Sequence, residues 1–128
     1  GFIVRDLDFT LGKLRENLDW EPELVSDLPG EGYRRARMGF TMGHSATLDV
    51  IKPTRWDSPS GLYLHNWGPG PYYTRLGVFD LAAKAEQLRE GGIAFEWVEH
   101  SDAVDGPLIR IDPRELDGQV FELEGLSE

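Results

Sequence analysis

Val4-Arg5-Asp6-Leu7, followed by Leu14-Arg15-Glu16, returns 74 residues later as Val78-Phe79-Asp80-Leu81, followed by Leu88-Arg89-Glu90. Six of the thirteen positions from 4 to 16 are identical at that offset, where chance gives about one. Both copies carry the same physical instruction. A short apolar strand leads to an Asp whose side chain can accept a backbone N–H, and a helix follows. The first helix places Leu7, Leu11, Leu14 and Leu18 on one stripe. The second does so with Leu81, Ala85 and Leu88 and stops at Gly91-Gly92, a C-terminal signal.

The remainder of each copy corresponds as well. Three strand candidates follow the first helix, at about 22–27, 33–42 and 45–51, and three follow the second, at about 93–100, 107–112 and 118–124. The chain is therefore expected to be one α+β domain spanning 1–128, made of two tandem βαβββ modules. Module one covers about 1–52 and module two about 72–128. Between them, 53–71 is rich in Pro, Gly and Trp and reads as a connector with turn chemistry throughout. Late in each module a carboxylate interrupts an apolar strand: Asp49 after Leu48, and Glu122 between Phe121 and Leu123. They stand 73 residues apart, one short of the repeat.

Alternation along each strand sorts side chains onto two faces. Ala36, Met38, Phe40 and Met42 form an apolar face to lie under a helix, against Arg35, Arg37, Gly39 and Thr41. Ala46, Leu48 and Val50 oppose Ser45, Thr47, Asp49 and Ile51. Tyr72, Thr74, Leu76 and Val78 oppose Tyr73, Arg75 and Gly77, and Phe121 and Leu123 oppose Glu122 and Glu124. Each module then offers a curved mixed sheet with one face covered by its helix. Packed together, the modules would form a cup with Asp49, Tyr73, Glu122 and the arginines inside it, the usual place to look for a ligand site.

Composition narrows the function. The net charge of −10 runs against nucleic-acid binding, which rests on Lys and Arg neutralising phosphates. No apolar run approaches the roughly 18 residues of a membrane span, and no signal-peptide pattern is present, so the expectation is a cytoplasmic protein. With no cysteine, disulfides, thiolate metal sites and a cysteine nucleophile are excluded. The chain opens Gly1-Phe2-Ile3-Val4, in the middle of a strand.

Val4-Arg5-Asp6-Leu7-Asp8 and Val78-Phe79-Asp80-Leu81 resemble the strand-to-helix junctions of the vicinal oxygen chelate (glyoxalase/bleomycin-resistance/dioxygenase) superfamily. Ile111-Asp112-Pro113 and Asp117-Gly118-Gln119-Val120-Phe121-Glu122-Leu123 resemble its closing turn and last strand. Asp57-Ser58-Pro59 through Leu64, with Gly68-Pro69-Gly70-Pro71-Tyr72-Tyr73, resembles the connector of methylmalonyl-CoA epimerase-like and glyoxalase-like members. The resemblance implies four metal-ligand positions, in the first and last strand of each module. Carried over residue by residue, the last-strand positions are Asp49 and Glu122. The first-strand position of module two, usually a histidine, is Tyr73, and its counterpart in module one would lie two residues before Gly1.

The resemblance thus implies a divalent ion (Zn, Ni, Co, Mn or Fe) held by Asp49 and Glu122, a small-molecule ligand and a homodimer. It also implies a metal-assisted lyase or isomerase that passes through an enolate made from a small carbonyl or acyl metabolite. Glu122 and Tyr73 are the catalytic candidates. Arg35, Arg37, Arg75, Arg110 and Trp67 are the substrate-binding ones, since guanidinium grips a carboxylate, enolate or phosphate bidentately. Three alternatives stand beside these assignments. Glu122 and Asp49 pair with arginines such as Arg75 or Arg110, Tyr73 is an aromatic wall, a hydrogen-bond donor or the acid of a metal-free enzyme, and Trp56, Tyr63 and Trp67 clamp the modules together. His44, His65 and His100 read as surface residues, with His65 able to reach the cup from the connector. The competing function is a metal-free, ligand-sequestering protein of the bleomycin-resistance type. Extradiol dioxygenase chemistry fits least, because such members use two histidines that this chain does not show.

Overall fold

A computed structural model describes residues 1–40 and 46–126. The expectations placed on Thr41, Met42, His44 and Ser45 lie outside them. The chain divides into two compact units, Gly1–Tyr72 and Tyr73–Glu128.

In the first unit, β1 (Phe2–Ile3) leads through the N-cap Asp6 into α1 (Leu7–Leu18). β2 (Leu24–Leu28), β3 (Tyr33–Gly39) and β4 (Thr47–Pro53) follow, then α2 (Pro59–Trp67) and the two-residue β5 (Gly70–Pro71). The strands form a sheet in the order β2-β3-β4-β1-β5, with β1 parallel to β4 and the other neighbours antiparallel. In the second unit, β6 (Tyr73–Val78) is followed by α3 (Leu81–Glu90), β7 (Phe95–Val98), β8 (Leu108–Ile111), a 3-10 turn (Pro113–Leu116) and β9 (Val120–Gly125). Its sheet runs β6-β9-β8-β7, again with the first strand parallel to the last and antiparallel neighbours beyond. These are the two βαβββ modules.

The repeated Asp does the same work in both. Its carboxylate accepts the N–H of the third residue on, Phe9 from Asp6 at 3.0 Å and Ala83 from Asp80 at 2.9 Å, satisfying a donor that a helix start leaves open. Each helix then covers one sheet face. Leu7 packs with Ala36, Met38 and Val50, supported by Leu11 and Leu14. Leu81 and Ala85 pack with Ile109, Ile111 and Leu123, supported by Leu88 and Phe121. Gly92, in the left-handed region at φ 71°, turns the chain out of α3 as the double glycine predicts.

Three expectations change. Leu18 is exposed instead of joining the α1 stripe. The chain reverses at Asp19, which takes a left-handed conformation, and Trp20 returns to the core in its place, its indole N–H donating to the Gly39 carbonyl at 2.7 Å. Leu76 and Phe40 are also exposed; Phe40 lies past the end of β3 against the Trp20 ring. The connector is not turns throughout. Ser58 accepts the Gly61 N–H at 3.1 Å and Pro59 opens a nine-residue helix, a Ser-Pro start with a clear physical basis. Gly61 is required there: a Cβ on it would fall 2.2 Å from the Arg55 carbonyl oxygen.

Replacing either helix cap, Asp6→Ala or Asp80→Ala, is expected to cost about 1 kcal/mol in urea unfolding. At the 3-10 turn, hydrogen bonds from the Arg114 side chain and backbone N–H hold the Asp112 carboxyl at about 2, below its ordinary 3.8. Because the folded value is the lower one, this contribution to stability is present above pH ~4 and is lost as pH falls through about 2. An NMR titration should find that midpoint, and Arg114→Ala should move it up toward 3.8.

Candidate active site

The face of each sheet turned away from its helix carries the charged residues. In the first unit, Arg35 and Arg37 alternate along β3, and the register sets Arg37 directly opposite Asp49 on β4. Arg37 Nε lies 3.0 Å from Asp49 Oδ1, and Nη2 lies 3.4 Å from Oδ2, so one guanidinium faces both oxygens. Asp49 is 7% exposed and Arg35 5%. A carboxylate buried to this degree costs several kcal/mol unless a cation or hydrogen bonds compensate it.

The second unit repeats the pair and adds to it. Arg110 on β8 stands opposite Glu122 on β9, and both residues lie 73 positions after Arg37 and Asp49. Arg110 Nε donates to Glu122 Oε2 at 2.9 Å. On the other side of β9, the parallel register puts Arg75 beside Glu122, and Arg75 Nη2 donates to Oε1 at 2.8 Å. Glu122, 4% exposed, is thus held at both oxygens by guanidinium groups from the two neighbouring strands. Tyr73, two residues before Arg75 on the same face and buried, has its ring 4.7 Å from the Arg75 guanidinium carbon, a cation–π distance.

Parity therefore places the candidates as the sequence suggests: Arg35, Arg37 and Asp49 share one face of the first sheet, and Tyr73, Arg75, Arg110 and Glu122 one face of the second. Trp67 is not on a sheet. It ends α2 and is 77% exposed. Tyr63 stays within the first unit, its hydroxyl donating to the Pro71 carbonyl at 2.7 Å and its ring against Tyr72. His65, on α2, and His100, after β7, are exposed.

The donor set tests the expected metal. Asp49 and Glu122 both have their oxygens engaged by guanidinium groups, and among the described residues no three His, Cys, Asp or Glu side chains are grouped to hold an ion. These residues do not fit a divalent ion, and no chemical step is assigned to one. What they can do is hold an ionised carboxylate in a fixed orientation, with lone pairs left to take a proton.

Removing a guanidinium should reveal how much each carboxylate depends on it. Arg75→Ala, which strips one of two cations from the more buried carboxylate, is expected to lower stability by about 3 kcal/mol. Arg37→Ala, which removes the guanidinium facing both oxygens of the buried Asp49, should cost a similar amount. Urea unfolding followed by tryptophan fluorescence measures both, and costs well under about 1 kcal/mol would contradict this dependence.

No family model and no curated protein sequence matches the chain. Solved structures do. Methylmalonyl-CoA epimerase of Streptomyces coelicolor, in complex with 2-nitronate-propionyl-CoA, is 25% identical with a TM-score of 0.84, over 100% of this chain and 94% of that one. Methylmalonyl-CoA epimerase of Mycobacterium tuberculosis is 22% identical with a TM-score of 0.88, over 100% and 85%. A hypothetical protein of Bacillus halodurans C-125 is 19% identical with a TM-score of 0.84, over 100% and 91%. No helix among the described residues is long and apolar enough to cross a membrane. Together with the two βαβββ modules, these likenesses show that the chain has the vicinal oxygen chelate fold.

Proposed function

We propose that this chain is an isomerase that inverts the carbon next to the carbonyl of an acyl thioester, with Glu122 as the proton-accepting group. The observation that carries the reading is Glu122 itself, a buried carboxylate held at both oxygens by Arg75 and Arg110. The likeness to an epimerase structure that contains methylmalonyl-CoA, 25% identical at a TM-score of 0.84, supplies the substrate class.

The chemistry balances with this chain's own groups. Glu122 takes the proton from the α carbon, and the C–H electron pair moves toward the carbonyl, leaving negative charge on its oxygen. Guanidinium donors on the same sheet face stabilise that charge where it develops. A proton returned from the Tyr73 hydroxyl to the opposite side of the carbon completes the inversion. Proton exchange with water then resets Glu122 and Tyr73. The two arginines fix the carboxylate's orientation, and fixed geometry is a large part of what general-base catalysis requires.

Proton NMR of methylmalonyl-CoA in D₂O tests this directly. The wild-type chain should replace the α proton with deuterium, and Glu122→Gln should slow that exchange by roughly 10²- to 10⁴-fold with the circular dichroism spectrum unchanged. Tight binding of the thioester with no exchange would sink the isomerase reading in favour of a ligand-sequestering protein.

A further inference from the structure

Asp-Gly occurs twice in the chain, at Asp105-Gly106 and Asp117-Gly118, and Asn-Gly not at all. Both pairs lie in the second unit and are exposed, and both glycines take a left-handed backbone, at φ 84° and 86°. An Asp side chain has a carbonyl carbon that the next residue's amide nitrogen can reach, closing a succinimide ring. Glycine obstructs that attack least, because it carries no Cβ beside the nitrogen. The two pairs therefore bring the same reacting groups, and the fold treats them differently.

At Asp117 closure is blocked. This residue ends the 3-10 turn with φ 54° and ψ 36°, which carries the Gly118 nitrogen to the side of the backbone away from the Asp117 Cβ. The hydrogen on that nitrogen is committed too, donated to the Pro113 carbonyl at 2.7 Å. The Asp117 N–H donates to the same oxygen. Reaching the carboxyl would mean undoing the turn. At Asp105 neither restraint exists. It lies in the connection from β7 to β8, outside any helix or strand. Among the described residues, the Gly106 N–H donates no hydrogen bond and the Asp105 carboxylate has no hydrogen bond or ion pair. The pair stands exposed between two buried anchors, Ala103 and Leu108, the kind of loop tip where local opening concentrates.

We propose that Asp105 is a site of spontaneous isoaspartate formation and that the turn at Asp117 protects the second pair. The Gly106 nitrogen attacks the Asp105 side-chain carboxyl carbon. As the C–N bond forms, a carboxyl oxygen leaves as water with the amide proton and one proton from solvent. Water then opens the ring. Addition at the side-chain carbonyl restores Asp105. Addition at the main-chain carbonyl breaks the original peptide bond, so the chain continues through the side chain and the former main-chain carbonyl becomes a free carboxylate. Water is the only co-reactant. The backbone gains one atom between Ala103 and Leu108, on the approach to β8 and to Arg110, which holds Glu122.

Incubation of the folded full chain in neutral buffer at physiological temperature, followed by peptide mapping with electron-transfer fragmentation, tests this. Peptides containing Asp105 should lose the mass of one water transiently, then accumulate isoaspartate severalfold faster than those containing Asp117. A protein isoaspartate methyltransferase, which esterifies the displaced carboxylate but not an ordinary Asp side chain, should label the same peptides. In urea, where the turn at Asp117 is gone, the two rates should become comparable. Asp105→Glu, whose longer side chain closes a larger and slower ring, should remove the label at that position; the residue is exposed, so folding is not at stake. Absence of isoaspartate at Asp105 in the folded chain would overturn the site. Equal rates at the two sites in the folded chain would overturn the protection by the turn. A difference that persists in urea would trace to the flanking residues and overturn the structural account.

Discussion

A carboxylate set into a sheet between apolar neighbours has to be met by a cation, and in this chain the cation comes from the next strand. The Arg37–Asp49 and Arg110–Glu122 pairs are cross-strand partners in antiparallel ladders, so they exist only if the register is right. A slip of one residue would turn each carboxylate into the apolar core beneath its helix. The pairs therefore act on structure before chemistry. The charges on the open face penalise the wrong alignment of β3 on β4 and of β8 on β9.

Much of this was legible in the sequence because the repeat fixes correspondence and strand parity fixes direction. Two copies of an Asp before a leucine stripe give the helices and their caps. Alternation puts Asp49 and Glu122 opposite the faces that α1 and α3 cover, and it puts arginines of matching parity beside them. The choice of partner was not legible. Both a metal and a guanidinium satisfy a buried carboxylate, and pairing across strands depends on register, which separated stretches of sequence do not specify.

The parts that escaped share one property: they do not repeat. Trp20 replaces Leu18 in the core through a left-handed Asp19 that no periodicity announces. Helix α2 lies in a segment dense in Pro and Gly, where turn signals obscure a sound Ser58-Pro59 start.

The two modules are not equal, and Arg75 shows where they part. At the 74-residue offset its counterpart is Gly1, so the module whose last strand carries Glu122 has a cation at a place where the other has no side chain. Glu122 is therefore held from both neighbouring strands, whereas a side-chain partner for Asp49 comes from β3. The same plan used twice thus yields two carboxylates of unequal rigidity, and the stiffer one belongs to the module whose first strand carries an arginine.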